Sequence, residues 1–385
     1  MTISGSVRRV TESDQTGRPQ SAGWMTQTPP SICERVMSHK AFWRGEGPSL
    51  ILIPTEDVPL YDTTGYAARF HDPAKMWEGE MKRARAVIGW PTDGIPTVRP
   101  NLGTIFVPAL TGQEYLVPDD QMPWVGATLS RQAIRAARST DLSRARLLHL
   151  AEAFYQIHGA SGESGIFAYH PDTQGVFDIA HLLYGDGLFL EMMDSETAAW
   201  IDELLEICLD LMVRATRRVK QLLGEPDEAM VHGHATPQGI YFPDAGIRIS
   251  EDTATLISPQ SIERFVLPMI ERAAAPFGGA FFHYCGRHPA FFEMLCRMPC
   301  VRAIDLGNPE SYDTRWLMER CAATGTVLHS RLAVESGENW EQYTRRLGRL
   351  VRETGVRCVL RPLLCPAGRD ECLEMKELWH DLTIP

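Results

Sequence analysis

The sequence predicts a (β/α)8 TIM barrel in one domain, and three observations carry that expectation. Eight short apolar runs read as strands, helical periodicity fills most of the gaps between them, and polar side chains gather at the C-terminal ends of the runs. Alternating strands and helices imply a parallel sheet, and eight such units imply closure into a barrel. In that architecture the C-terminal strand ends face the active site, so the polar clustering and the fold class support one another.

Taken in order, residues 1 to about 30 show little hydrophobic pattern, end in Pro29-Pro30, and are expected to form a flexible tail. The barrel is expected over residues 31–385. Its strand-like runs are Ser49–Pro54, Thr97–Gly103, Gly165–Asp172, Gly246–Asp252, Gly279–Gly286, Val301–Gly307, Gly325–Arg331 and Arg357–Leu364. Helical patterns cover Ser195–Leu223, Ser258–Ala274, Pro289–Arg297, Ser311–Ala323 and Glu338–Thr354. Ser258-Pro259 gives one of these a cap followed by proline in the first turn. The pattern is sharper in the second half of the chain than before Gly165.

Composition excludes some roles. The formal net charge of -11 argues against a nucleic-acid surface, which needs clustered Lys and Arg to displace counterions. No run of about 18 apolar residues marks a membrane span, and the polar N-terminus lacks the apolar core of a signal peptide. A reducing cytoplasm is the expected compartment. There, the nine scattered cysteines are expected to be mostly small buried hydrophobes, with a few as metal ligands.

His283-Tyr284-Cys285 forms an H-x-C pair at a strand end. Strand side chains alternate, so His283 and Cys285 point one way and Tyr284 the other. Cys365 closes the last run and shares the same rim in a closed barrel. Two sulfurs and one imidazole suit zinc, and three protein ligands leave a fourth position for substrate. An isolated H-x-C is equally compatible with a purely structural role.

The stretch Ile249–Pro268 (ISEDTATLISPQSIERFVLP), followed by His283-Tyr284-Cys285-Gly286, resembles the uroporphyrinogen decarboxylase superfamily. It is most similar to the zinc-dependent, corrinoid-linked methyltransferase branch. Gly175–Gly185 (GVFDIAHLLYG) and Ala303–Glu310 (AIDLGNPE) extend the resemblance to roughly residues 35–380. The R-Q-A-G-R motif of the decarboxylases has no counterpart here. The resemblance implies His283, Cys285 and Cys365 as zinc ligands. It also implies methyl transfer between a small methylated compound or thiol and a corrinoid. The chain has no D-x-H-x-x-G loop of its own, so the corrinoid is expected on a partner protein.

Further candidates lie at the other strand ends or beside them: Gln174, Asp178 and His181 just after the third run, His232 and His234 in a loop before the fourth. Glu251 and Asp252 are the expected acid–base pair, with alternation sending only one into the cavity. Gln174, Asp178, His181, His232, His234, Asn308, His329, Arg331 and Arg361 are expected to touch substrate. For Arg331 and Arg361 the expected role is bidentate binding of a carboxylate. Caps, salt bridges and packing are the alternative for each.

Overall fold

The computed structural model describes residues 29–55, 65–194 and 196–385. The expected tail, residues 1 to about 30, lies almost wholly outside them. Its last two residues belong to the folded body. Pro29 caps the helix Pro30–Arg44, which buries Ile32, Val36, His39 and Phe42. The body therefore starts slightly before the expected boundary at residue 31.

A strand forms in or across each of the eight expected runs; each is shorter than its run, and the second starts two residues before it and shares only Thr97 and Val98 with it. They are β1 (Leu50–Ile51), β2 (Ile95–Val98), β5 (Phe167–Ala168), β8 (Ile247–Ser250), β9 (Ala280–Tyr284), β10 (Val301–Leu306), β11 (Val327–Ser330) and β12 (Cys358–Leu360). Four strands were not expected: the pairs β3 (Tyr115–Leu116) with β4 (Trp124–Val125), and β6 (Met230–His232) with β7 (Gln238–Phe242).

Six strands make one parallel sheet in the order β1-β12-β11-β10-β9-β8. A second sheet has the order β5-β2-β7-β6, with β2 and β5 parallel and the β6–β7 hairpin antiparallel. The architecture is mixed α/β around a parallel sheet. Hydrogen bonds also link segments of the two sheets. Between β1 and β2, Ile51 N–H donates to Asp93 Oδ2 at 2.8 Å, and Asp93 N–H donates to Ile51 O at 3.0 Å. Between β5 and β8, Gly175 N–H donates to Ser250 O at 2.6 Å, and Thr173 Oγ1 donates to Arg248 O at 3.2 Å.

The helices follow their sequence patterns closely. Ala198–Leu223 buries a long stripe from Trp200 to Val219 and ends on Gly224 in the left-handed conformation. The expected helix Ser258–Ala274 is divided. Ser258 caps Pro259–Ser261, a π turn covers Ile262–Val266, and an α-helix resumes over Leu267–Ala274. Pro268 explains the break, because it has no N–H for the ladder and crowds the preceding turn. Cys208, Cys285, Cys296, Cys300, Cys321, Cys358 and Cys365 are free thiols. Among the described residues, no helix is long and apolar enough to cross a membrane.

Candidate active site

Sheet register builds the centre of the site. Asp305 on β10 pairs with His283 on β9 and His329 on β11, so these three residues form one row at the C-terminal end of the sheet. Asp305 is buried, 1% exposed, and is the hub. Its Oδ2 lies 2.8 Å from His283 Nδ1 and 3.0 Å from His234 Nε2. Its Oδ1 lies 3.4 Å from His329 Nδ1 and 3.8 Å from Arg361 Nη1. Burial alone would raise the Asp305 carboxyl, but the three imidazoles outweigh it and hold the group well below the ordinary carboxylate range. Burial pushes His234 well below the usual imidazole value and lowers His329 as well. As an anion, Asp305 accepts N–H bonds from His283, His234 and His329.

His283 is therefore oriented by its Nδ1. Its other nitrogen, Nε2, stands 3.4 Å from Cys285 Sγ and 3.9 Å from Asp252 Oδ1. The neighbouring Tyr284 turns to the opposite side, where its hydroxyl meets Tyr312 at 3.0 Å. Asp252 Oδ1 also accepts the Cys285 N–H at 2.7 Å, and Asn308 Oδ1 accepts the Gly286 N–H at 2.9 Å. Asn308 thus holds the turn after Cys285. Gly307 leaves room for the thiol, since a Cβ there would sit 2.4 Å from Cys285 Sγ. Partial burial, then the charges of Asp252 and Asp305, push the Cys285 thiol up to about 12. Without a cation, this cysteine stays a thiol at neutral pH.

Two groups of donor atoms each lie within 4.8 Å of one another: His234, His283 and Asp305, and Asp252, His283 and Cys285. Cys365 belongs to neither. Its Sγ lies 3.7 Å from Pro362 O, and burial raises its thiol to about 12. His288 caps the helix Pro289–Arg297 by accepting the Phe291 N–H.

Of the expected acid–base pair, Glu251 is fully buried away from the cavity. Its two oxygens accept the N–H groups of Phe177 and Asp178 at the start of the helix Val176–Tyr184. Gly175 makes this possible, because a Cβ there would collide with the Glu251 carboxyl at 2.2 Å. Burial, then the neighbouring Asp178, push Glu251 well above the ordinary carboxyl range. Asp178 accepts the N–H groups of Asp252 and Thr253, and burial followed by Asp252 raises it to about 7. Gln174 donates its amide to Ser250 and Asp178. Asp252 faces the cavity, as alternation requires of one member of the pair.

The cavity beside His283 measures about 250 Å³. His234, Gln174 and Asp252 line it, together with three arginines that sequence reasoning missed: Arg83, Arg99 and Arg248. Arg99 and Arg248 share Asp172, Arg99 at 3.5 Å, and Arg83 pairs with Glu80 at 3.1 Å. Asp172 is held well below the ordinary range because Arg248 and Arg99 outweigh its burial. Arg99 directly follows β2, so its place at a strand end was the available signal.

The remaining candidates divide. His234 enters from the turn of the β6–β7 hairpin, where His234 and Ala235 have φ of 42° and 65°. Such values are unusual for residues other than glycine and mark a constrained turn. His232 is buried against Tyr169 and Phe281, and its Nδ1 accepts the His234 N–H at 3.0 Å. His181 faces away, 3.2 Å from Asp186 Oδ1. Arg331 and Arg361 line a separate cavity.

With the site described, its relatives can be placed. No protein-family model matches the sequence, and no curated protein matches it either. Among solved structures, a methyltransferase from Methanosarcina mazei aligns with a TM-score of 0.63 at 12% identity, over 90% of this chain and 98% of that one. A B12-independent methionine synthase from Shewanella sp. W3-18-1, in complex with selenomethionine, aligns with a TM-score of 0.42 at 11% identity, over 87% of this chain and 95% of that one. The first likeness establishes a shared fold; at this identity it carries no statement about activity.

Proposed function

We propose that this chain is a zinc-dependent methyltransferase on a closed (β/α)8 barrel of the uroporphyrinogen-decarboxylase-like group. It moves a methyl group between a small methylated compound or thiol and a corrinoid carried by a partner protein. The single observation that carries the metal is the His283 pair of contacts. Nδ1 is committed to Asp305, so the Nε2 lone pair is free and faces a cysteine sulfur. A carboxylate behind a histidine is the usual support of a zinc ligand, since it fixes the tautomer and raises basicity.

The donor chemistry fits zinc: one imidazole nitrogen, one sulfur and one carboxylate within 4.8 Å. His283 and Cys285 would hold the ion. Cys365, at the end of the last strand run, would be the third ligand in this reading, and Asp252 is the alternative third ligand, which already stands within reach of His283 and Cys285. When bound, the ion would supply Lewis acidity that keeps a substrate thiol as thiolate or polarises a methylated heteroatom. The protein's own residues do the rest. Asp305 orients His283. Asp252 fixes the Cys285 backbone and presents a carboxylate to the cavity that can take a substrate proton. The buried Glu251 and Asp178 pin the strand end that carries Asp252.

The arginines of the 250 Å³ cavity favour one second reading, a metal-independent decarboxylase that grips a substrate carboxylate. It is the weaker reading, because each of the three already faces a carboxylate. One assay separates the two. Methylated aromatics, amines, betaines and thiols are offered with cobalamin or corrinoid proteins, and methyl transfer is followed by corrinoid absorbance. Zinc-dependent transfer that collapses in Cys285→Ser is expected. A zinc-loaded protein silent against the whole panel would contradict the proposal, and chelator-resistant decarboxylation would favour the rival.

A further inference from the structure

A second cavity, of about 170 Å³, is walled by Leu52, Pro54, Pro237, Pro362 and Leu363. Arg331 and Arg361 line it from the ends of β11 and β12. The two oxygens of Asp305 face different regions: Oδ2 faces His234 and His283, while Oδ1 faces His329 and Arg361. Arg361 thus reaches both the Asp305 carboxylate and this cavity.

The charge on this side is not balanced. Arg361 is 6% exposed, its Nη2 is buried without a hydrogen-bond partner among the described residues, and its carboxylate neighbour there is Asp305 at 3.8 Å. Arg331 Nε is also buried without a partner, and Arg331 Nη2 donates to Gly307 O at 3.1 Å. Ser330 Oγ, directly before Arg331 at the end of β11, is a third buried group without a partner among the described residues. Guanidinium cannot shed its proton in a protein, and leaving charged donors buried and unsatisfied is costly. The polar neighbours do not compensate. Gln238 is committed to Thr92 and the Ile53 carbonyl, and Thr236 to backbone carbonyls.

We propose that this cavity binds a small monocarboxylate with a ring-sized apolar body, its carboxylate bridging Arg331 and Arg361. The apolar walls take the body, and the two forks supply the planar donor pattern that a carboxylate accepts. The size follows from the volume, because an apolar cavity of about 150 Å³ is enough for benzene. The assignment stands apart from the methyl-transfer reading. It uses neither His283 nor Cys285 and needs no metal.

The test is calorimetric titration of the full-length protein with benzoate and with benzamide, its uncharged counterpart. Saturable benzoate binding is expected, with benzamide weaker by about tenfold or more, the loss set by charge-assisted hydrogen bonds. Arg331→Gln and Arg361→Gln should each weaken benzoate by a similar factor. Should Arg361→Gln fail to fold, the less buried Arg331→Gln carries the test alone. Equal affinity for the two probes, absence of benzoate binding, or full binding in the arginine variants would overturn the assignment. None of these outcomes depends on whether methyl transfer is found.

Discussion

Asp305 and the Glu251–Asp178 pair are buried carboxyl groups at the C-terminal ends of the same sheet, yet their surroundings drive them in opposite directions. Asp305 has three imidazoles and a guanidinium around it and is held far down. Glu251 and Asp178 have backbone N–H groups and one another, and are driven up. Burial is nearly equal in the two places; the partners decide the charge. The difference assigns work. The Asp305 anion can orient a metal ligand, whereas the proton-holding pair cannot act as a strong base and serves as a structural clamp.

The largest effect should come from breaking the first cluster. Asp305→Ala leaves Arg361 without the carboxylate it faces at 3.8 Å and three rings without that acceptor. Chemical denaturation should show a loss of about 3–5 kcal/mol, the usual cost of orphaning a buried charge. A loss under about 1 kcal/mol would mean that Asp305 is not the hub.

Acid and base should then separate the clusters. Asp305 is depressed, so the stability it contributes is present above the ordinary carboxylate range and lost as pH falls toward its lowered value. Asp178 is raised from 3.8 to about 7, so its contribution is full below 3.8 and lost as pH rises through about 7. Melting curves from pH 4 to 8 should show that decline in the native sequence. Asp178→Asn should flatten it, at a cost of about 1–3 kcal/mol for the backbone N–H left unsatisfied. An unchanged slope would contradict the raised value.

The smallest effect belongs to a cysteine outside both clusters. Cys300→Ser, half-buried at the N-terminal end of β10, should change stability by less than about 1 kcal/mol and leave zinc content untouched. Altered zinc there would move the metal site elsewhere.

How much of this was legible follows from where each contact originates. The βα alternation after Gly246 is local and strongly patterned, so the strands from β8 onward and their helices could be read directly. The β6–β7 hairpin could not. Met230–His232 is three residues long, and Pro237 precedes β7, so the segment reads as a loop. The His283–Cys285 pair was legible because strand alternation is a local rule. The hub role of Asp305 was not, although its place at a strand end was visible. It depends on strand register, which aligns Asp305 with His283 and His329 across three strands. His234 was read as a loop residue because its approach depends on the left-handed turn at His234-Ala235. Arg99, Arg248 and Asp172 meet only through the packing of the first half against β8. No pattern within one segment encodes that meeting.

The measurement that bears most directly on the central claim is the zinc content of purified protein by elemental analysis, with melting curves taken alongside. The account predicts close to one zinc per chain in the native sequence and almost none in His283→Ala and Cys285→Ser. Comparing Cys365→Ser with Asp252→Asn identifies the third ligand. Full zinc retained in both His283→Ala and Cys285→Ser, with the fold intact, would contradict the account.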